Sequence, residues 1–212
     1  MSRLIGLFVL CALASCDGSP GRGGAIGQPT VLAQAPSSTE VLGQVAEFSL
    51  TERSGATVTN ETLAGEPYVA SFFFARCSGP CPALLGNVRR MQDDLEGTPA
   101  RLVSITVDPK NDTPEALRTL ADNFTADSER WLFLTGEEDK ITKLMRLSFA
   151  LALAKMPSTK TASDAALAID ITHDTKLVVV DGKGQVRGYY DGEDLDEVAA
   201  ATARVRWLAE NE

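Results

Sequence analysis

The sequence lacks a surplus of basic residues and shows no clustered basic stripe. It carries 20 Lys and Arg against 29 Asp and Glu, a formal charge of −9 at pH 7. Nucleic-acid binding needs Lys and Arg grouped to neutralise phosphates, so this composition argues against nucleic acid as a partner. The acidic balance is chiefly explained by solubility. With 212 residues, 44% of them hydrophobic, the chain suits one globular domain with tails.

The sequence also begins without an apolar run long enough to cross a membrane. The run from Leu4 to Ala14 follows Arg3 and is shorter than the roughly 20 residues that a spanning helix needs. It ends in Leu-Ala-Ser-Cys and resembles a bacterial lipoprotein signal peptide with its lipobox. Cleavage would then remove residues 1–15 and leave a lipid on Cys16; an ordinary or uncleaved secretory signal is the alternative. The resemblance predicts an exported, membrane-anchored lipoprotein that faces the periplasm or the cell exterior.

Regular structure is not expected directly after this signal. Residues 17–38 are rich in Gly, Pro, Ala, Gln and Ser, a composition typical of a flexible linker. Such a tether would hold a domain roughly 25 Å from the membrane. We therefore assign residues 16–44 to a lipid-anchored tether and residues 45–212 to the folded domain.

The sequence has few cysteines, and their positions limit the functions that they could serve. Of four cysteines, Cys11 would leave with the signal and Cys16 would carry the lipid. Cys77 and Cys81 would remain as the only thiols, facing an oxidising compartment. Their spacing, C-x-x-x-C, is one residue longer than the usual redox pair. A disulfide that closes so small a loop contributes little stability, so a purely structural bond is disfavoured. Metal binding and redox chemistry both stay open.

Hydrophobic periodicity predicts alternating strands and helices. Expected strands or hairpins are EFSLTERSGATVTN (47–60), PYVASFFFA (67–75), RLVSITVD (101–108), WLFLTG (131–136) and KLVVVDGKGQVRGYYDG (176–192). Expected helices cover 82–95, 114–124, 137–155 and 193–210, and 156–170 is expected to be a loop. The fold class is α/β: a three-layer sandwich with a mixed central sheet and an N-terminal hairpin. The cysteines lie in a strand-to-helix turn.

This placement suits a site for a soft metal ion. Residues i and i+4 of a helix's first turn share a face, so the two sulfurs can converge. The helix N-terminus favours thiolate over thiol, and paired thiolates select Cu(I), zinc or iron–sulfur clusters. The single histidine, His173, precedes a strand expected beside the strand that carries the cysteines. Cys77, Cys81 and His173 would form a three-coordinate site that suits Cu(I) better than structural zinc, which needs four ligands.

Four segments together resemble the Sco/SenC family: FFFARCSGPCPALLGNVRRMQDDL, SITVDPKNDTPEAL, WLFLTG and ITHDTKLVVVDGKGQVRGYY. The resemblance spans about residues 45–208 and implies a thioredoxin-like fold, a membrane anchor and copper delivery to cytochrome c oxidase. The family's copper ligands fall on Cys77, Cys81 and His173. Its Asp-Pro element falls on Asp108-Pro109, which places Asp108 near the site, with a loop cap as its alternative role. Many members have a single-pass anchor, whereas this chain has the pattern for a lipid.

The resemblance implies a metallochaperone rather than an enzyme. It would carry Cu(I), with Cu(II) left open, to the binuclear copper centre of the oxidase's copper-accepting subunit. The alternative is a thiol–disulfide reductase that acts on the oxidase's copper-ligand cysteines through a redox-active Cys77–Cys81 disulfide. A thiol reductant is then a further partner. A peroxiredoxin-like peroxidase is disfavoured, because Phe74 stands where the peroxidase pattern before Cys81 requires Pro.

Overall fold

The computed structural model describes residues 39–149, 154–156, 170–172 and 175–212. The strands are β1 (Gly43–Gln44), β2 (Ser49–Glu52), β3 (Thr57–Thr59), β4 (Tyr68–Phe73), β5 (Arg101–Thr106), β6 (Trp131–Thr135), β7 (Ala154–Met156), β8 (Asp170–Thr172), β9 (Lys176–Val180) and β10 (Gln185–Asp191). The helices are α1 (Asn60–Leu63), α2 (Cys81–Asp94), α3 (Pro114–Asn123), α4 (Glu138–Ser148) and α5 (Leu195–Asn211).

Eight strands form one mixed sheet in the order β1-β10-β9-β4-β5-β6-β2-β3. The strands β4, β5 and β6 are mutually parallel, whereas β9 and β2 join them antiparallel. Every residue of β4 is buried, as its continuous apolar sequence predicts for a strand covered on both faces. The strands β7 and β8 form a separate antiparallel pair.

Helices cover both faces of the sheet, and each face has its own apolar core. One core joins side chains of α2, α3 and α5 to the sheet around Trp131 and Phe133. The other joins α1 and α4 to the opposite face around Phe72 and Leu134. This arrangement confirms the predicted three-layer sandwich with a mixed central sheet. The N-terminal hairpin is also confirmed, because β2 pairs antiparallel with β3.

The predicted hairpin near the C-terminus closes through the side chain of Asp181. This carboxylate accepts hydrogen bonds from the backbone N–H groups of Lys183 (2.9 Å) and Gln185 (2.8 Å) and from Arg187 Nη1 (2.7 Å). Gly184 has a φ of +75°, a conformation that favours glycine. The turn lies beside Tyr68, at the amino end of β4 and therefore far from the cysteines, which follow its carboxyl end.

Two sequence-based predictions in the second half of the domain were wrong. The helix expected over 137–155 ends at Ser148, and Lys155 lies in β7. A tertiary contact accompanies this end: Ser148 Oγ accepts a hydrogen bond from Ala46 N (2.9 Å), and the next residue, Phe149, packs edge-on against Phe72. The expected loop 156–170 contributes its first residue to β7 and its last to β8.

The predicted signal peptide and most of the tether lie outside the described residues, so both assignments stay predictions. The strand β1 occupies the last two residues of the predicted tether and pairs with β10. Within the described ranges, no helix is long and apolar enough to cross a membrane.

Candidate metal and redox centre

The two cysteines lie where β4 passes into α2, as predicted, but only one of them is helical. Cys81 is the first residue of α2, and Pro82 follows it in the first turn, where a missing N–H costs nothing. Cys77 lies in the preceding turn, where its N–H donates to the carbonyl of Phe74 (3.1 Å). The prediction that both cysteines share the helix's first turn was therefore wrong.

The turn nevertheless brings the two side chains together. The Cys81 side chain is hydrogen-bonded to that of Cys77. Cys81 is buried, with 2% of its surface exposed, whereas Cys77 is half-buried. The outer cysteine is thus partly accessible from solvent while the inner one is enclosed, so Cys77 is the better placed of the two to meet a partner.

Burial has a larger effect on the pKa of the inner cysteine, Cys81, than the helix N-terminus has. Desolvation, the largest cause, and the hydrogen bond with Cys77 together raise the pKa of Cys81 from 9.0 to about 12. Backbone hydrogen bonds act in the opposite direction but do not offset the burial. The expectation that the helix N-terminus favours thiolate was therefore wrong for Cys81, which is a protonated thiol at neutral pH.

Asp108 lies in the turn after β5 and contacts the residue that precedes Cys77. Its Oδ2 accepts a hydrogen bond from Arg76 Nη2 (2.9 Å). The same carboxylate accepts from Asn111 Nδ2 (2.9 Å), and the Asp108 carbonyl accepts from the backbone N–H groups of Asn111 and Asp112. Asp108 thus stabilises its own turn and, through Arg76, contacts residues 74–80 between β4 and α2, which we call the cysteine loop. A role for Asp108 at a copper site stays a prediction.

Asp112 is a neighbour of the cysteine loop that the sequence reading did not single out. Its Oδ2 accepts hydrogen bonds from the backbone N–H of Ala75 (3.0 Å) and from the hydroxyl of Thr106. Only 1% of Asp112 is exposed, and burial raises the pKa of its carboxyl while these hydrogen bonds oppose the rise. The signal available in the sequence was the second aspartate of D-P-x-x-D-T-P.

His173 lies outside the described residues, as does Cys16, so their predicted roles as copper ligand and lipidation site stay predictions. The strand that follows His173 is described. As predicted, β9 lies beside β4. The two strands are antiparallel, so the first residues of β9 lie at the end of the sheet where β4 ends and the cysteine turn begins. The Thr175 carbonyl accepts a hydrogen bond from Gly192 N (2.9 Å), and the Gly192 carbonyl accepts from Asn87 Nδ2 of α2 (2.7 Å). Thr175, two residues after His173, is therefore held near the first half of α2.

The described residues supply two soft ligands and no complete metal-binding cluster. Among them, no three His, Cys, Asp or Glu side chains are grouped to hold a metal ion. Two adjacent thiols fit the softness of Cu(I), but two sulfurs seldom complete a site. A third donor would come from outside these residues or from a partner, and His173 is the donor predicted from the sequence.

Comparison with known proteins extends this description. Residues 37–210 match the SCO1/SenC family. The SCO1 protein homolog of Bacillus subtilis (strain 168) is 28% identical over 151 residues, which cover 70% of this chain and 74% of that protein. The crystal structure of a SCO1/SenC family lipoprotein from Bacillus anthracis str. Ames superposes with a TM-score of 0.71 at 27% identity, covering 81% of this chain and 98% of that one.

Two further solved structures share this fold. BsSco, a member of the Sco family of cytochrome c oxidase assembly proteins in which a disulfide switch was identified, has a TM-score of 0.64 at 27% identity, covering 79% of this chain and 96% of that one. ScoI of Bradyrhizobium japonicum, solved with copper bound, has a TM-score of 0.64 and covers 78% of this chain and 99% of that one. Its 20% identity supports the fold alone. The predicted thioredoxin-like fold is confirmed, and the chain belongs to the SCO1/SenC family.

Proposed function

We propose that this protein binds copper through Cys77, Cys81 and His173 and delivers it to the binuclear copper centre of cytochrome c oxidase. The observation that carries the proposal is the pair of hydrogen-bonded thiols at the start of α2, one half-buried and one enclosed. Family membership supports it, because BsSco, a relative at 27% identity, is named as a member of the Sco family of cytochrome c oxidase assembly proteins.

Copper is the cargo of this reaction rather than a resident cofactor. Thiolate sulfurs favour Cu(I), and a neutral imidazole adds a ligand that also suits Cu(II). A donor set of three leaves the metal open to a competing ligand from an acceptor. The half-buried Cys77 gives that acceptor a route to the metal, whereas the enclosed Cys81 retains it.

A thiol–disulfide reductase is the second candidate, and the unequal exposure of the two cysteines favours it. The Cys77 thiolate would attack a target disulfide, forming a mixed disulfide and releasing one target sulfur as a thiolate. Cys81 would then attack the Cys77 sulfur, which releases the second target thiol and leaves a Cys77–Cys81 disulfide. Two electrons pass to the target, and a thiol reductant must restore the pair.

We further propose that the protein acts outside the cytoplasmic membrane, held by a lipid on Cys16. The sequence pattern at residues 13–16 supports this location, and so does the lipoprotein from Bacillus anthracis, which shares the fold at 27% identity. In this location the tether would give the domain reach toward a membrane-bound oxidase.

Substitution of His173 by Ala separates the two functions. Cu(I) and Cu(II) are titrated into the reduced full-length variant, and oxidase copper content is measured in cells that express it. We expect the affinity to fall more than about tenfold, or about 1.4 kcal/mol, with Cu(II) affected more than Cu(I). The Cys77–Cys81 disulfide should still form and be reduced, because that chemistry needs only the two sulfurs.

The paired measurements decide between delivery and reduction. Lost affinity together with lost oxidase copper supports delivery, whereas lost affinity with normal oxidase copper rejects it and leaves the reductase. Cys77→Ser is the positive control, since it removes both activities. Ser78→Ala is the matched neutral control, because this exposed residue lies within the same turn and is not one of the proposed ligands.

A further inference from the structure

We propose that Asp112 is a positioning residue that fixes Cys77 relative to Cys81. The inference rests on the proposed function in that it treats these two cysteines as the working pair. A single buried oxygen carries it: Asp112 Oδ2 accepts a hydrogen bond from Ala75 N (3.0 Å), two residues before Cys77. The same oxygen accepts from the hydroxyl of Thr106, the last residue of β5. Asp112 therefore ties the cysteine loop to the end of a central strand.

The two cysteines differ in how firmly the fold holds them. Cys81 opens a helix of 14 residues and is enclosed in the core. Cys77 is half-buried in a turn, its N–H bonded to Phe74 within that turn, and the next two residues, Ser78 and Gly79, are exposed. The position of the Cys77 sulfur thus depends on the residues directly before it. Asp112 and Asp108 are the carboxylates that bind those residues.

Comparison of the two carboxylates favours Asp112 as the stronger constraint. Asp108 reaches the loop through the Arg76 side chain, which is long and 48% exposed, so solvent screens this ion pair. Asp112 binds the backbone itself, and its carboxylate is buried. The two groups also cooperate, because Asp108 N donates to Thr106 Oγ1 (3.0 Å) and Asp112 N donates to the Asp108 carbonyl (3.0 Å). Thr106, Asp108 and Asp112 form one network against the loop.

This constraint should appear in the thiol–disulfide equilibrium of the pair. When the protein exchanges with glutathione disulfide, the S–S bond of glutathione disulfide breaks and a Cys77–Cys81 bond forms. Two electrons and the two thiol protons of the protein pass to glutathione, which leaves as two thiols. The equilibrium constant measures how well the fold holds the two sulfurs at bonding distance. Loosening Cys77 lowers that constant, and it weakens two-sulfur copper binding for the same reason.

Asp112→Ala in the full-length protein is the direct test. We expect the equilibrium constant with glutathione to fall about tenfold, which is about 1.4 kcal/mol, because the variant removes the buried acceptor of a backbone hydrogen bond. Asp112→Asn keeps a carbonyl oxygen of the same shape and should restore the constant to within about twofold of wild type. Thr106→Val, which removes the other donor, should give an intermediate fall and serves as the test if Asp112→Ala does not fold.

Asp181→Ala is the matched control for general destabilisation. Asp181 is also 1% exposed and also accepts backbone hydrogen bonds, but it lies at the amino end of β4, away from the cysteines. It should lower the free energy of unfolding and leave the equilibrium constant unchanged. An unchanged constant in Asp112→Ala, or an equal fall in Asp181→Ala, would overturn the proposal. Wild-type protein that binds no copper would refute the proposed delivery function, and the glutathione measurement would still decide the role of Asp112.

Discussion

Gly192, between β10 and α5, is a position where one added methyl group should cost much of the domain's stability. A Cβ atom built there lies 2.6 Å from the Thr175 carbonyl oxygen and closer still to Leu84 Cδ1. Neither neighbour can yield easily, because one is backbone and the other is a fully buried side chain of α2. The Gly192 φ is not in the left-handed region, so the expected effect is steric rather than conformational.

Two contributions set the expected change in the free energy of unfolding. Overpacking a well-filled site costs about 1–3 kcal/mol. Displacing Thr175 also weakens its hydrogen bond with Gly192 N, which contributes about 0.5–1.5 kcal/mol. We therefore expect Gly192→Ala to lower the free energy of unfolding by about 2–4 kcal/mol, a large share of the 5–15 kcal/mol typical of domains.

Urea unfolding followed by tryptophan fluorescence measures this change. With a slope of about 2 kcal/mol per M, the midpoint should fall by about 1–2 M. Gly86→Ala is the matched control, because Gly86 lies within α2 and a Cβ there meets nothing within 4 Å. That variant should gain about 1 kcal/mol from helix propensity. Equal midpoints for wild type and Gly192→Ala would refute the steric argument.

Three further predictions concern the cysteines. In the reduced native protein, iodoacetamide at pH 8 should label Cys77 and spare Cys81, because Cys81 is buried and its pKa is raised to about 12; peptide mass spectrometry that finds Cys81 labelled first would contradict the assignment of inner and outer thiol. Because the pKa of Cys81 is higher in the folded protein than its ordinary value of 9.0, this thiol contributes stability that is fully present below pH 9 and is lost as the pH rises toward 12. Cys81→Ser should therefore reduce the loss of unfolding free energy between pH 8 and 11, measured by urea unfolding. Cys16→Ala should leave an unlipidated precursor, whereas a soluble mature chain with an unmodified Cys16 in wild-type cells would exclude the lipid anchor.

The sequence predicted the fold well where local chemistry decides the structure. The Asp-Gly-Lys-Gly turn between β9 and β10 and the buried strand before the cysteines each carry a strong local signal. The end of α4 was missed because neither Gly nor Pro marks it; it coincides with a hydrogen bond between Ser148 and Ala46, residues far apart in sequence. Periodicity contains no information on such a contact.

The site was only partly predictable, because it too depends on contacts between residues that are far apart in sequence. The spacing of Cys77 and Cys81 indicated converging sulfurs, and the structure brings the two side chains into hydrogen-bond contact. The direction of the Cys81 pKa was missed because desolvation depends on what packs around the sulfur, which the motif does not specify. Asp112 was missed because its contact with Ala75 exists only once β4 and β5 lie side by side.

The pairing of β4 with β9 also bears on the order of events while the chain is synthesised. A chain that emerges amino end first presents both thiols long before β9, because β4 ends at Phe73 and β9 begins at Lys176. Pairing across so long a separation forms late in folding. Oxidation of the two thiols is therefore open to an unfinished chain, whereas the proposed three-ligand copper site requires the finished domain. In the proposed location outside the cytoplasmic membrane, newly made molecules would then need a reducing partner even before their first copper ion.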